Sequence, residues 1–553
     1  MRILIAFILF CLLVMQCGAV QIVEFCPDPY IHDDEDEYLV LAGNGSLDGI
    51  TISDNNGGFR FPLGTPITGT LYVSRNALAF EKTHGKFPDF EWFDSSPKVP
   101  NVINGNTLRM ANAKDSLALY DNGRLIQKVA WPEDVKPREG QVHLLEDGRW
   151  DRRVLMLGQS RLLPATFSDV TVTTFVSPDC SYEVFSSVVL QAEHELRINV
   201  YEFTSTNLSA LIIDAEKRGV DVNILVEGGP VGGMSPEERT VILAMNESGI
   251  PVYEMAALTG GHAPYRYDHA KYLVIDRDAV LLTSENFKYS GFPPPGISGN
   301  RGWGVYLESP EVADYFTRVY QIDISGSAIM PVKGISGPVE TIPNVPYTAE
   351  FTPERFYNAT VSPVIAPDTS DQITSLIDSA QGSIEIEQAY ITNESAMELN
   401  PYLAAAINAS RRGVAVRVLL DSYWYNVEDT KDNDEMVALI NTIAEKEHIP
   451  LEARCAELSH GGIEKIHNKG VIVDDQRVLV SSINWNSNSP NFNREAGVII
   501  DHPGVARYFR DVFEDDWAPA VRAQERPVDY LKIAAVFGVI ALLLVLYYRR
   551  HIR

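Results

Sequence analysis

Residues 269–286 read HAKYLVIDRDAVLLTSEN, and residues 467–484 read HNKGVIVDDQRVLVSSIN. In both, Lys follows His by two positions, Asp by seven, Ser by fifteen and Asn by seventeen. His269, Lys271, Asp276, Ser284 and Asn286 thus recur as His467, Lys469, Asp474, Ser482 and Asn484. Two copies at one spacing mark an internal duplication.

The repeat extends outward. VSPDCSYEVFSSVVLQAEHELRINVYEF (176–203) aligns with IAPDTSDQITSLIDSAQGSIEIEQAYI (365–391), and AEKRGVDVNILVE (215–227) with ASRRGVAVRVLLD (409–421). The offset drifts only from 189 at Asp179 and Asp368, through 194 at Gly219 and Gly413, to 198 at the histidines. One fold copied twice, with small loop insertions, accounts for that drift. Each copy runs strand, helix, strand, then the His-Lys strand. Gly219 and Gly413 follow basic pairs and read as left-handed helix caps. The apolar runs 222–226 and 414–420 read as buried strands, and 311–320 and 505–513 as matching closing helices. The expectation is two tandem α/β/α half-domains, 166–325 and 345–525, joined by a Gly- and Pro-rich linker over 326–346.

Strand side chains alternate, so His-x-Lys puts imidazole and ammonium on one face. The next strand returns Ser and Asn toward them. Two facing halves then surround one phosphate with two imidazoles, two ammoniums and two amides. Lys271, Lys469, Asn286 and Asn484 are expected to hold nonbridging oxygens against the charge of the transition state. One histidine, neutral at Nε2, attacks phosphorus. The other, protonated, donates to the leaving alcohol and then activates water or an acceptor alcohol. No metal or other cofactor is required, and two lysines in one place argue against a zinc site.

The paired H-x-K-x4-D-x6-x-S-x-N motifs resemble the phospholipase D superfamily, which includes phospholipases D, cardiolipin synthases and phosphodiester nucleases. The resemblance implies one active site shared by both halves and a covalent phospho-histidine. It makes Asp276 and Asp474, with Ser284 and Ser482, motif residues of structural weight. It also implies a downstream carboxylate on the other nitrogen of each histidine. Glu495, in FNREAGVII, fits that place 28 residues after His467. The first half reads GNRGWGVYL there, with Gly302 where the acid belongs. His269 is therefore expected to lack its acid or to borrow one. His467 is assigned as nucleophile and His269 as general acid, and the reversed roles stay open.

Ahead of the repeat, short alternating runs at 37–41, 49–53, 69–74, 116–120 and 125–129 sit between Gly, Asn and Asp turns, as in a small β-sandwich. DEYLVLAGNGSLDGITISDNNGGFRFPLGTPITGTLYVSRN and NTLRMANAKDSLALYDNGRLIQKVAW resemble a lamin-tail domain, an immunoglobulin-like sandwich, placed at 20–135. Such a domain implies binding to an unidentified surface partner.

Both ends carry membrane signals. Residues 1–19 have Arg2, an apolar run and Cys17-Gly18-Ala19, which suits cleavage after Ala19. Residues 531–548 are apolar after Lys532, end in Tyr547 and Tyr548, and are followed by Arg549, Arg550 and Arg553. That pattern fits a transmembrane helix with a cytoplasmic C-terminus. Of five cysteines, Cys26, Cys180 and Cys455 remain after such a leader, too few for a disulfide scaffold. The net charge of −28 disfavours loose capture of nucleic acid.

The chain thus reads as a membrane-anchored, extracytoplasmic phosphodiesterase acting on phospholipid. Cardiolipin synthase-like phosphatidyl transfer and a secreted nuclease stay open, as does a noncatalytic surface-binding protein. The loop GGPVGG (228–233) reads as a phosphate cradle or a flexible strand end. Tyr289, Tyr423, Trp424 and Trp485 read as groove lining or packing.

Overall fold

Strand order carries the duplication into three dimensions. In the computed structural model, one half runs Val252–Met255, Asp221–Glu227, Glu195–Val200, Lys271–Ile275, Ala279–Thr283, Gly299–Glu308, Phe167–Ser177. The other half repeats this as Leu451–Cys455, Ala415–Leu420, Ser383–Gln388, Lys469–Val473, Arg477–Ser481, Glu495–Asp501, Glu354–Ala366. The last strands of the two series, Phe167–Ser177 and Glu354–Ala366, pair antiparallel and fuse the halves into one sheet. The model describes residues 20–518 except 55, 105–107, 113, 132–138, 147, 151–154, 257–262, 327, 394–397, 428–431 and 459–461.

These strands form because their apolar runs are covered on both faces. Helices Ser181–Gln191, Thr206–Lys217 and Pro236–Glu247 cover one face of the first half. Gln372–Asp378, Pro401–Arg411 and Asn433–Glu447 do the same in the second. Gly219 and Gly413 follow the second pair of equivalent helices, Thr206–Lys217 and Pro401–Arg411, with φ of 97° and 99°, the left-handed exit that glycine permits. The closing helices Pro310–Ile324 and Pro503–Trp517 share a single core with the inner faces of both halves. Phe509 of the second stacks on the fully buried Trp303 of the first half at 4.7 Å.

The N-terminal region is all β apart from the helix Ala77–His84 and a short turn of 3-10 helix. A four-stranded sheet (Gly58–Arg60, Ile50–Ser53, Asp115–Asp121, Arg124–Trp131) faces a second sheet built on Gln21–Cys26, Tyr38–Ser46 and Pro66–Ser74. Leu39, Leu41, Ile52, Leu117, Leu119 and Trp92 fill the space between. The expected boundary at 135 is too early. Gln141–Glu146 pairs with Gln21–Cys26, and Leu155–Met156 pairs with Gln141–Glu146, so the sandwich continues to residue 156. The sequence there is short and charged, which hid the strands.

The linker 326–346 is docked, not free. Ile329–Pro331 adds a strand beside Val252–Met255, and Glu340 accepts from Thr204 Oγ1 and Tyr289 N. The expected leader (1–19) and transmembrane span (531–548) lie outside the described residues. Among the described residues no helix is long and apolar enough to cross a membrane. Cys26, Cys180 and Cys455 are free.

Candidate active site

The segment before each histidine crosses to the opposite half. Ile463–Ile466 runs parallel to the start of Gly299–Glu308, and His467 N donates to Arg301 O at 2.8 Å. In the other direction Asp268 bridges Arg494, and His269 N donates to Arg494 O at 2.8 Å. Each imidazole therefore lands beside the other half's acid.

This crossing corrects the expected pairing. Glu495 does not orient His467; its Oε2 lies 2.8 Å from His269 Nδ1. His467 Nδ1 lies 3.1 Å from Oε1 of Glu285, a residue between Ser284 and Asn286 of the first motif. Neither histidine lacks an acid. Glu285 stands in for the acid missing at Gly302. A Cβ on Gly302 would overlap the Glu285 carboxylate, so the glycine leaves the room that Glu285 fills. Asn300 Nδ2 holds Glu285 Oε2 at 2.9 Å, as its counterpart Asn493 holds Glu495 Oε1 at 3.0 Å.

The lysines are disposed alike. Lys271 Nζ donates to His269 O at 2.7 Å, and Lys469 Nζ to His467 O at 2.5 Å. Burial, opposed by the neighbouring glutamates, pulls Lys271 down to about 8 and Lys469 to about 7. Burial also lowers His269, against the pull of Glu495. His467 is lowered further, because Lys469, Lys465, Lys271 and His269 add to its burial. The crossed contacts of the two histidines, with a motif lysine on the carbonyl of each, gather these groups at the seam between the halves. The side chains of His269 and His467 keep 12% and 17% exposure, which leaves the site reachable. Burial raises Glu285; at Glu495 the same effect is outweighed by His269 and Lys271, so its carboxyl is lowered.

Asp276 and Asp474 sit at the far ends of the His-Lys strands. Asp276 accepts from the N–H groups of Glu193, His194 and Glu195, and Asp474 from those of Gln381, Gly382 and Ser383. Ser284 and Ser482 each accept a backbone N–H from the adjacent strand, and Ser482 also donates to Glu495 at 2.6 Å. Asn286 Nδ2 donates to Glu202 at 3.0 Å, and Asn484 is buried with its Oδ1 unpartnered among the described residues.

Other expected groups resolve differently. Within GGPVGG, Gly229 N turns to Glu227, Val231 N to Tyr201 and Gly233 N to Pro230, so these donors serve the loop and not a phosphate. Trp485 is fully buried in the second half's core. Trp424 is 58% exposed beside Tyr423 and Tyr425. Tyr289 donates to Glu464 at 2.9 Å. Tyr201, not foreseen, meets His269 edge-on at 4.6 Å. Among the described residues no group of His, Cys, Asp or Glu is arranged to hold a metal.

Comparison with known proteins follows this geometry. A search of curated proteins returned no significant match. Among solved structures, phosphatidylserine synthase of Haemophilus influenzae is 13% identical, over 62% of this chain and 85% of that one, with a TM-score of 0.45. Nuc of Salmonella typhimurium, a phospholipase D family member, is 21% identical over 30% of this chain and all of its own, with a TM-score of 0.26. Polyphosphate kinase of Porphyromonas gingivalis is 13% identical over 63% of this chain and 50% of its own, with a TM-score of 0.40. The family model described as "Cardiolipin synthase, PLD-like domain" matches residues 187–324 and 373–517, just over half of the chain and both copies of the motif. The sandwich lies outside that match. On that match the chain belongs to the phospholipase D superfamily.

Proposed function

We propose that the protein is a membrane-anchored, extracytoplasmic enzyme that cleaves or transfers the phosphodiester of a phospholipid through a phospho-histidine. One observation carries the reading. Each histidine has its Nδ1 engaged by a buried carboxylate from the opposite half, which leaves both Nε2 atoms clear of those carboxylates, with a motif lysine held on the carbonyl of each histidine. A carboxylate on Nδ1 fixes the tautomer whose Nε2 is free to attack.

The fields divide the labour. His467 is lowered furthest and faces a glutamate whose own charge is disfavoured by burial, so it stays neutral. It attacks phosphorus through Nε2, and the P–N bond forms as the bond to the leaving oxygen breaks. His269 rests on an ionised Glu495 and is the better proton carrier. As the imidazolium it keeps Nδ1–H on Glu495, gives its Nε2 proton to the leaving alcohol, and then takes one at the same nitrogen from water or an acceptor alcohol. That oxygen attacks phosphorus and the P–N bond breaks. Lys271 and Lys469 balance the nonbridging oxygens. Hydrolysis and phosphatidyl transfer differ only in the second oxygen.

A noncatalytic, degenerate first half would lack an acid, and Glu285 supplies one. Acidity weighs against a nuclease. The anchor rests on the apolar segment 531–548, and the lamin-tail-like sandwich is read as a partner-binding module. The purified chain is offered phosphatidylglycerol vesicles, single-stranded DNA and bis(p-nitrophenyl) phosphate. Vesicle turnover above DNA turnover is expected. His269→Ala and His467→Ala should each lose at least ~10²-fold. Acid-labile phosphate should accumulate on His467 in the His269→Ala variant. Label on His269 in the converse variant only would reverse the roles, and no turnover of any substrate would end the enzymatic reading.

A further inference from the structure

The two site-bearing segments differ at one position that faces the reacting groups. Side chains alternate along extended chain. Lys465, His467 and Lys469 of KIHNK therefore project together, as do Tyr267, His269 and Lys271 of YDHAK. The pseudo-symmetric site thus holds a third ammonium on one side only, with Tyr267 as its counterpart on the other. Lys465 lies in the segment that runs beside the start of Gly299–Glu308, two residues before His467, and its charge opposes those of His467 and Lys469 while Tyr425, Glu285 and Asp421 favour it.

Its tether differs from those of the other lysines. Lys271 and Lys469 are held by the carbonyls of their own motif histidines. Lys465 Nζ donates at 2.8 Å to the hydroxyl of Tyr425 and lies 5.5 Å from the centre of that ring. Among the described residues no carboxylate forms an ion pair with it. Tyr425 belongs to an aromatic run, Tyr423 to Tyr425, whose Trp424 and Tyr425 are 58% and 45% exposed. A third cation adds to the repulsion among the two lysines and two histidines. A ligand with more negative charge than one phosphodiester relieves it.

We propose that Lys465 and Tyr425 form a second anion subsite, which takes a second phosphate on a lipid head group. By the rise of two residues of extended chain, the Cα atoms that carry Lys465 and His467 lie roughly 6–7 Å apart. The proposal rests on the phosphodiesterase reading for its lipid, and on the Lys465 geometry for its charge.

Calorimetry on the full chain in detergent micelles tests it with glycerol phosphate, glycerol bisphosphate and thymidine bisphosphate. Wild type is expected to bind glycerol bisphosphate at least about tenfold more tightly than glycerol phosphate. Lys465→Gln should bring the two within about twofold, and Lys465→Arg should keep the preference. Equal affinities in wild type, or a preference retained in Lys465→Gln, would overturn the subsite. Tighter binding of thymidine bisphosphate than of glycerol bisphosphate would overturn the lipid assignment. Vesicle turnover is measured in parallel. A bisphosphate preference without turnover means that the subsite stands and the phosphodiesterase reading fails.

Discussion

Gly302 and Glu285 are one functional position split between two residues. In the second half the acid is Glu495, and Ile483 stands where Glu285 does. Gly302 and Glu495 hold the same register, opposite Ser177 and Ala366 in their respective joint strands. In the first half the acid has moved seventeen places back along the chain yet reaches the opposite histidine from the same region of the sheet. Glu285→Gln keeps the shape but replaces the carboxyl oxygen that contacts His467 Nδ1 by an amide that no longer fixes its tautomer. Its kcat should fall by about 10²–10⁴-fold. Glu285→Ile with Gly302→Glu copies the second half's arrangement and should recover most of that loss, whereas either change alone should not. Single-turnover rates of the four proteins make the cycle. A folded double variant as slow as Glu285→Ile would show that the two positions are not interchangeable.

At the scale of elements, the motif aspartates serve the turns that aim the His-Lys strands. Asp474 caps three successive N–H groups at the turn into Ser383–Gln388. Burial works against its charge, but those three donors outweigh it and hold the carboxyl below its usual range. A lowered carboxyl contributes stability that is present above the ordinary Asp range and is lost as pH falls through the folded value. Asp474→Ala should therefore cost about 1–2 kcal/mol near neutral pH, since water reaches some of the freed donors. The gap to wild type should narrow at a pH below the ordinary Asp range. Denaturant titrations at both pH values decide it, and a gap that widens in acid would refute the capping role. The helix exits at Gly219 and Gly413 and the buried strands after them are legible in the sequence, because glycine placement and apolar runs are local, whereas the expected order of strand, helix and strand before each His-Lys strand leaves out the helices Pro236–Glu247 and Asn433–Glu447 and the strands that follow them. The helix Ala77–His84 also had local signals, Asn76 as its N-cap and Gly85 as its left-handed exit, but it was passed over among strands. The crossing of Glu495 to His269 had no local signal, because it depends on how the two halves face each other. Glu285 was visible as an acid inside the first motif where the second has Ile483, and only the fold gives that difference a purpose.

At the scale of the molecule, two buried arginines tie the halves together by the same crossing. Arg301 of the first half bonds Asp179 of its own half at 2.6 Å and Asp516 of the second at 2.8 Å. Arg494 of the second bonds Asp323 of the first at 2.8 Å and Asp368 of its own at 3.4 Å. Each clamp also takes in the segment that leads into a half. Ser160, from the end of the sandwich, accepts from Arg494 at 2.6 Å and donates to Asp368 at 2.5 Å. Tyr347, from the linker, donates to Asp179 at 3.0 Å. The same arginines supply the carbonyls that hold His467 and His269, so folding and site assembly are one event. Arg301→Met would strand Asp516 as a buried acid and leave Asp179 with its hydrogen bonds from Tyr347, Glu350 and Phe351 but no counter-charge, and breaking a buried pair in this way typically costs ~3–5 kcal/mol. A half cut at 166–325 loses more. Asp323 has no arginine, Arg301 lacks Asp516, and the closing helix exposes the face it shares with its counterpart. That fragment should stay unfolded alone, with no fixed near-ultraviolet circular dichroism, and gain structure when refolded with residues 345–518. A cooperative thermal transition from the isolated fragment would mean that the clamps join two finished domains and do not create one.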